Sequence, residues 1–558
     1  MRPTRNGATL SGFGRIIGST TIAGTLDAGQ LPNYADVKAN SGGAIPAAIP
    51  LSGASPGTLT FQGNITLSPT ATMIENIDGA LVIPGGPGTF DKIVVTGAGA
   101  TFTAGGTLAP NLRAIVGGNN TYSPAVGTSL VIVNAQSGAA VAGQFAALAQ
   151  PPSGLAANTR LDVVYGASAI TLNVTPLDFS VQAAQAGLNN SAQNVAQALD
   201  SERPAPGIAP RGKAKSLFDD LYDDTIAQDD SELLSLSGDG LAGNLRAGLD
   251  AFSGFSDTLG ARQGSDAMRP YLIKMAQADS PLPASLDDAA GWTLWAQGSG
   301  AWSRIGDDGL PGVHNDRTGI VAGADRAFAS DLSAGIAFGY AHTRTNSADA
   351  RSEQDSYAGS LYATWTPGPF DIEGRIAAGP SHISTVRPIT VFGVTDMATG
   401  SAGGWGGFAT AKAGYNLGMG DVALEPFAEL TGTTLQRDAY TETTPFGLDF
   451  PTQTASRATT ALGIDAGTRF ESFGVTVMPQ LRLAWTHDIG DEGLLTQADL
   501  FGAPFDIDAA APGRDAGIVR ADVDAWSSDG LSAYVGYTGA FFRNASSHEV
   551  HGGVRLAL

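Results

Sequence analysis

A chain of 558 residues with Lys+Arg 31 against Asp+Glu 53 carries a net charge of −22, which leaves no basic track for phosphates and excludes nucleic-acid binding. Cys 0 removes disulfides, thiolate catalysis and cysteine-ligated metals. Gly 74, 15% charged residues and a mean hydropathy of +0.02 describe a turn-rich β protein of more than one region. No run of about eighteen apolar residues occurs, so a membrane location would require a barrel rather than a helix.

The N-terminus, MRPTRNGATLSGFGR, has arginines but no apolar core and no small-residue cleavage site, so it is not read as a secretory signal. An exported protein needs one, so either export is wrong or this sequence begins inside a longer chain. Over 1–176 short β-rich pieces such as TTIAGTL, GTLTFQGNITL, DKIVVTGAGATFTAGGTL, SLVIVNA and LDVVYGASAITLNV recur with glycine turns. They predict a solenoid of stacked β rungs, with a sandwich as the plain alternative. Gly53-Ala54-Ser55-Pro56-Gly57 matches the G-x-S-x-G nucleophile elbow. That motif needs a helix after the serine, however, and Thr58, Thr60, Phe61, Ile65 and Leu67 read as strand, so it is taken as a turn between rungs.

At Val181 the period changes. Val181, Leu188 and Val195, filled in by Ala184, Ala192 and Leu199, form one helical face that Pro204 and Pro206 end. Asp219 to Glu232 is an acidic run, read as a solvated face or loop. Leu241, Leu245, Leu249 and Phe252 form a second stripe, with Asn244, Arg246 and Asp250 facing elsewhere. Gly243, Gly248 and Gly254 each weaken an isolated helix there by roughly 1 kcal/mol against alanine, so this helix would depend on its surroundings.

From 291 onward period-2 alternation is general. Phe370, Ile372, Gly374, Ile376 and Ala378 oppose Asp371, Glu373 and Arg375; Val422, Leu424, Ala428 and Leu430 oppose Glu425 and Glu429. Leu462, Ile464 and Phe470 oppose Asp465 and Arg469; Val477, Leu481, Leu483 and Trp485 oppose Gln480 and Arg482; Val519, Ala521 and Val523 oppose Arg520, Asp522 and Asp524. An extended strand sends the two sets to opposite faces, apolar towards lipid and polar towards a lumen. Twelve segments are expected, beginning near Trp292, Thr318, Leu332, Tyr357, Phe370, Phe408, Val422, Thr460, Val475, Val519, Leu531 and Val550. Joining segments are short at Ala329-Ser330-Asp331 and Pro367-Gly368-Pro369 and long at 383–404 and 489–515. Trp292, Trp302, Phe328, Tyr340, Trp365, Phe370, Trp485 and Phe541 lie towards segment ends, where interface girdles would sit.

The phrases GASPGTLTFQGNITL, TFDKIVVTGAGATFTAGGTL and TRLDVVYGASAITLNV resemble the end of an autotransporter passenger. LYDDTIAQDDSELLSLSGDGLAGNLRAGLDAFSGFSDTLGARQ resembles the family's pre-barrel helical region, and GWTLWAQGSGAWSR, LSAGIAFGYAHTRT, DSYAGSLYATW, FGAPFDIDA and LSAYVGYTGAFF resemble its translocator barrel. The resemblance implies an all-β chain: a right-handed β-helix-like passenger end over 1–176, a helical linker and pore plug over 177–290, and a twelve-stranded antiparallel transmembrane barrel over 291–558. It implies self-secretion of the passenger and its anchoring in the bacterial outer membrane. The alternatives are an adhesin with an attached passenger and a surface hydrolase whose catalytic part precedes this sequence.

Implied partners are outer-membrane lipid, the barrel-assembly machinery, periplasmic chaperones and a host or neighbouring cell surface. Val554, Leu556 and Leu558 stand where the family carries its insertion signal, although family members usually end in an aromatic residue. Asn189-Asn190 resembles the paired asparagines of self-cleaving members, in surroundings that do not match, and is read as a helix surface. Arg246 and Asp250 are expected to meet lumen groups drawn from Glu425, Glu429, Asp465, Arg469 and Arg482. His548 and His551 differ by an odd number and cannot share a metal on a strand. No catalytic residue, metal site or cofactor is expected, and the chain is not read as an enzyme.

Overall fold

The computed structural model describes residues 7–29, 56–81, 89–112, 121–276, 291–348, 350–419, 422–472, 474–490, 494–527 and 530–558. They form two compact units, one of residues 1–188 and 195–234 and one of 189–194 and 235–558.

In the first unit, short strands stack in parallel on three sheets, each strand pairing with the third one along the chain. This is the geometry of a β-helix with three strands per turn. Thr9, Thr25, Thr72 and Thr107 stand in register on one sheet, and beside them Leu10, Leu26, Met73 and Leu108 form an inward stack. On a second sheet Leu59 pairs with Ile93, which pairs with Val133. The alternation T-L-T-F-Q at Thr58–Gln62 puts Leu59 and Phe61 inside and the threonines at the surface. This strand follows Gly57, where a nucleophile elbow would need a helix; Gly53 to Ser55 lie outside the described residues. At the end nearest residue 176 the pairing turns antiparallel. Ala169–Pro176 lies between Ser129–Gln136 and Thr159–Tyr165, bringing Leu130, Val133, Val163, Ile170 and Leu172 into the core.

One feature of that core is acidic. Glu75 is fully buried with both carboxylate oxygens unpartnered, close to the charges of Asp91 and Asp27. Asp91 accepts from Gly57 N (2.8 Å) and Asn76 N (2.9 Å), yet burial outweighs these bonds and pushes it up to about 7. Burial likewise raises Asp27 and holds Glu75 well above the usual carboxylate range. A raised folded-state value means the stabilising form is the protonated one. Its contribution is complete below the unfolded value near 3.8 and is lost as pH rises through about 7. The β-helix is therefore expected to be less stable at pH 8 than at pH 5, by on the order of 2 kcal/mol for Asp91 alone. Temperature-graded proteolysis of the full chain at the two pH values measures this; equal protection of 1–176 would show that these acids are ionised at no cost.

The helical face expected from Val181 is two helices, Phe179–Gln185 and Asn190–Glu202. Gly187, at φ 72°, adopts the left-handed conformation that ends the first, and Asn189 Oδ1 caps the second by accepting from Ala192 N at 3.0 Å. Val181 is exposed, and Phe179, Gln182 and Ala183 make the buried face instead. The acidic run corrects in the same way. It folds into the helices Ala214–Leu221 and Ile226–Leu236 and the turn between them, and Asp224, Asp229 and Glu232 are buried rather than solvated.

The second unit is a closed antiparallel barrel of twelve long strands. They are Trp292–Ile305, Val313–Ala329, Leu332–Ser347, Ala350–Trp365, Phe370–Val391, Val394–Tyr415, Val422–Arg437, Gln453–Thr468, Val475–Ile489, Asp515–Trp526, Leu531–Phe542 and Ala545–Ala557. The last pairs with the first, Ala557 opposite Thr293 and Ala545 opposite Ile305, so no edge is left open. Outward residues include Ile320, Ile336, Ile376, Leu430, Leu481 and Val535, apolar and exposed as a lipid-facing wall requires. Trp292, Phe328, Trp365 and Phe370 lie at the short-turn end, and Trp302, Trp485 and Phe541 towards the other. Among the described residues no helix is long and apolar enough to cross a membrane, which says nothing of the strands of a barrel.

Several expected starts lie inside longer strands: Thr318, Tyr357, Phe408, Thr460, Val519 and Val550 begin the apolar part, whereas the strands start at Val313, Ala350, Val394, Gln453, Asp515 and Ala545. The 383–404 loop is also corrected. It is the upper half of a hairpin of two 22-residue strands turning at Phe392-Gly393, with φ of 61° and 65°. Positive φ at both central residues suits the twist of a two-residue hairpin turn. The segment 489–515 holds a hairpin of its own, Thr496–Leu500 with Ala503–Ile507, in a small sheet with Tyr440–Thr441 and Asp449–Phe450.

Candidate functional site

The lumen is the site. A helix, Asn244–Ala276, precedes the first barrel strand and runs through it. Ser352 Oγ donates to Asn244 Oδ1 (2.5 Å) at the long-hairpin end, and Arg262 meets Asp325 (2.7 Å) near the short turns. Leu245, Leu249, Phe252, Phe255 and Leu259 pack on Trp295, Val321, Ala337, Ala358, Phe408 and Leu435 of the wall. Much of the rest is enclosed too, since Asn244, Arg246, Ser256, Thr258, Arg262 and Gln263 are all buried, while Asp250 and Asp257 border a cavity. The stripe that the sequence showed therefore selects only part of the contact. A helix inside a barrel has wall on every side, and its polar residues face the polar luminal positions.

Its glycines are explained by the same enclosure. A Cβ on Gly254 would stand 2.3 Å from Arg317 Nη1, and one on Gly248 2.4 Å from Leu435 Cδ2. On the wall, a Cβ at Gly406 would lie 2.2 Å from the Phe252 ring. Bare positions on both partners let the helix sit within side-chain reach of the strands. The propensity that the glycines forfeit is offset by contacts that exist only inside the pore.

Polar contacts hold the helix at each level. Arg457 donates to Asp250 Oδ1 and to Ser253 Oγ, both at 2.8 Å, and Arg317 donates to the Asp250 carbonyl. Ser256 Oγ lies 2.9 Å from Thr410 Oγ1 and accepts from Arg375 Nε at 3.0 Å. Gln263 Nε2 donates to Ala363 O at 2.7 Å. Trp295 Nε1 donates to Tyr362 Oη (2.7 Å), which donates to Asp325 (2.8 Å), so the acid that receives Arg262 is itself fixed.

The structure places Arg246 against Asp488 (3.7 Å) and Asp250 against Arg457, two partners that were not named for them from the sequence. Those residues build a network in the wall. Lys412, buried, reaches Glu425 (2.8 Å), Glu373 (3.0 Å), Asp371 (3.2 Å) and Asp465 (3.3 Å). Arg482 holds Asp465 with two bonds of 2.7 Å and lies over the Phe427 ring at 4.4 Å. Arg375 meets Glu429 at 3.0 Å. Arg469 sits apart by the Phe470 turn, 3.9 Å from the exposed Glu471. Lys412, Arg317 and Arg457 were not singled out from the sequence. Alternation marks them as luminal, but their partners lie on strands that only barrel closure brings near. A cavity of about 290 Å³ remains beside the helix, lined among others by Arg246, Asp250, Asp257, Arg317, Arg457 and Glu549.

Val554, Leu556 and Leu558 face outward, and Leu558 N donates to Trp292 O at 2.8 Å where the barrel closes. His548 lies outside against Trp302, while His551 lies inside, 2.7 Å from Asp522, as their odd spacing requires.

Residues 294–538 match the family model described as the autotransporter beta-domain. Two curated proteins of Serratia marcescens, both named extracellular serine protease, are 25% identical over 289 residues and 24% identical over 287. Each match covers 50% of this chain and 27% of the relative, so the chain spans about a quarter of the length of these relatives. Among solved structures, the translocator domain of autotransporter NalP from Neisseria meningitidis is 16% identical, covering 55% of this chain and 98% of that one with a TM-score of 0.42. The transport unit of the autotransporter AIDA-I from Escherichia coli is 18% identical, covering 52% and 97%, with a TM-score of 0.38.

Proposed function

We propose that this chain carries its own N-terminal region across the bacterial outer membrane and anchors it at the cell surface, a reading supported by the match of residues 294–538 to the autotransporter beta-domain. The observation that carries the reading is the helix Asn244–Ala276 inside a closed barrel, just ahead of the first strand. Because the helix enters at the long-hairpin end, the chain before Asn244 is delivered there, and we take that end as the outside. On this reading 1–176 is the passenger end that seeds folding, 177–290 the linker and plug, and 291–558 the translocator. The outward row of Val554, Leu556 and Leu558 is the surface that the barrel-assembly machinery engages, after periplasmic chaperones have kept the chain unfolded.

Expression behind a secretory signal in a Gram-negative host tests this. Protease added to intact cells is expected to remove 1–176 from the wild type and leave 291–558. Val554→Arg with Leu556→Arg places two cations on the lipid face, at about 2–4 kcal/mol each near mid-membrane and less towards the interface. Folded barrel, judged by heat-modifiable migration on gels, and accessible passenger should disappear together. A folded wild-type barrel with 1–176 still protected inside would remove the proposal. A second reading, a surface hydrolase whose catalytic part precedes this sequence, draws on the names of the two Serratia relatives; extending the reading frame upstream tests it, a compact α/β domain there favouring the hydrolase and further β repeats opposing it.

A further inference from the structure

The acidic run that the sequence suggested was solvated converges instead. Asp220 ends the helix Ala214–Leu221, and Asp224 follows one turn later, its N donating to Asp220 O at 3.1 Å. Glu232 comes from the next helix, Ile226–Leu236. Carboxylate oxygens of Asp220, Asp224 and Glu232 all lie within 4.8 Å of one another, and Asp224 and Glu232 are buried. Three like charges at that separation repel, and burial removes the water that would screen them.

A fourth acid points the same way. Asp229 is one turn before Glu232 on the same helix, so the two share a face. It is wholly buried, and neither of its carboxylate oxygens has a hydrogen-bond partner. Gln182 lies against it but spends its amide on Asp230 Oδ1 (3.2 Å) and Ile226 O (3.4 Å). The charges acting on Asp229 are those of Asp224, Glu232 and Asp230, and those acting on Asp224 are Asp220 and Asp223. A buried carboxylate with no close hydrogen bond to either oxygen, beside and under the field of Asp224 and Glu232, calls for a cation.

We propose that Asp220, Asp224 and Glu232 form a binding site for a hard divalent cation, calcium, with the buried Asp229 behind them. The donor set is oxygen only, which selects hard cations over zinc or copper. Paired oxygens on three side chains from two helices and a turn suit the high, irregular coordination of calcium. Magnesium demands a regular octahedron and keeps more of its water. Bound there, the ion ties the two helices together through groups that otherwise push them apart.

The test uses the full chain in detergent, stripped with EDTA and titrated with calcium chloride by calorimetry, beside an Asp224→Asn, Glu232→Gln variant. Both must show the folded barrel by heat-modifiable migration. Wild type is expected to bind one more calcium per chain than the variant. Trypsin cleavage at Arg211, Lys213 and Lys215, next to the site, should slow about tenfold at a free calcium concentration ten times Kd, and in the variant calcium should have no effect. In case the double variant loosens this region, Asp220→Asn alone removes one ligand from a half-buried position and should weaken calcium binding about tenfold, through its lower ligand charge. Equal stoichiometry in wild type and double variant, calcium-independent cleavage of the wild type, or unchanged affinity in Asp220→Asn would each overturn the proposal.

Discussion

Replacing Lys412 by Met is expected to destabilise the barrel by about 3–5 kcal/mol, the cost of leaving buried charges without their partner. Lys412 Nζ is the common neighbour of Asp371, Glu373, Glu425 and Asp465, and among the described residues Arg375 and Arg482 remain to oppose these acids and Glu429. The methionine fills a similar volume, so the loss reports charge rather than a cavity. The denaturant midpoint, read from the folded and unfolded bands on unheated gels, measures it. Adding Glu373→Gln and Glu425→Gln to Lys412→Met should recover part of the loss, because the uncompensated charge falls with each neutralised acid. A Lys412→Met barrel as stable as wild type would mean that water in the lumen already screens the network.

Deleting 244–264 is expected to leave a barrel that still closes and inserts but conducts ions at least several-fold better. A helix with its side chains is about 10–12 Å across, and here it lies so close to the wall that glycines such as Gly406 are needed for its passage, with a cavity of about 290 Å³ beside it. Removing it also strips Arg457 and Arg317 of their contacts with Asp250, and Asp325 of Arg262, so a lower unfolding midpoint should accompany the higher conductance. Single-channel recording in planar bilayers gives the first quantity and band-shift titration the second. Conductance equal to wild type, in a barrel shown to be folded, would place the helix outside the conducting path.

The lipid-facing wall was legible in the residue order because lipid demands an apolar residue at every second position. Phe370, Ile372 and Ile376 alternate with Asp371, Glu373 and Arg375 whatever the neighbouring strands are. That demand also fixed the number of crossings and the outward place of Val554, Leu556 and Leu558. It ends where the membrane ends. Beyond the bilayer both faces of a strand meet water, alternation fades, and 383–404 read as loop although it pairs as a hairpin from Ile383↔Ala402 to Val391↔Val394.

The parallel rungs were legible as a class from their glycine-spaced pieces, while their register came only from stacking. Long-range partners were decided by closure alone. Nothing near Lys412 in the chain announces Glu373, Glu425 and Asp465, which reach it from three other strands. Nor does anything near Arg246 or Asp250 announce Asp488 or Arg457. The same holds for the acids of 219–232. A run of like charge reads as solvated because each charge alone prefers water, and only the packing of two helices put Asp224, Asp229 and Glu232 where water cannot follow.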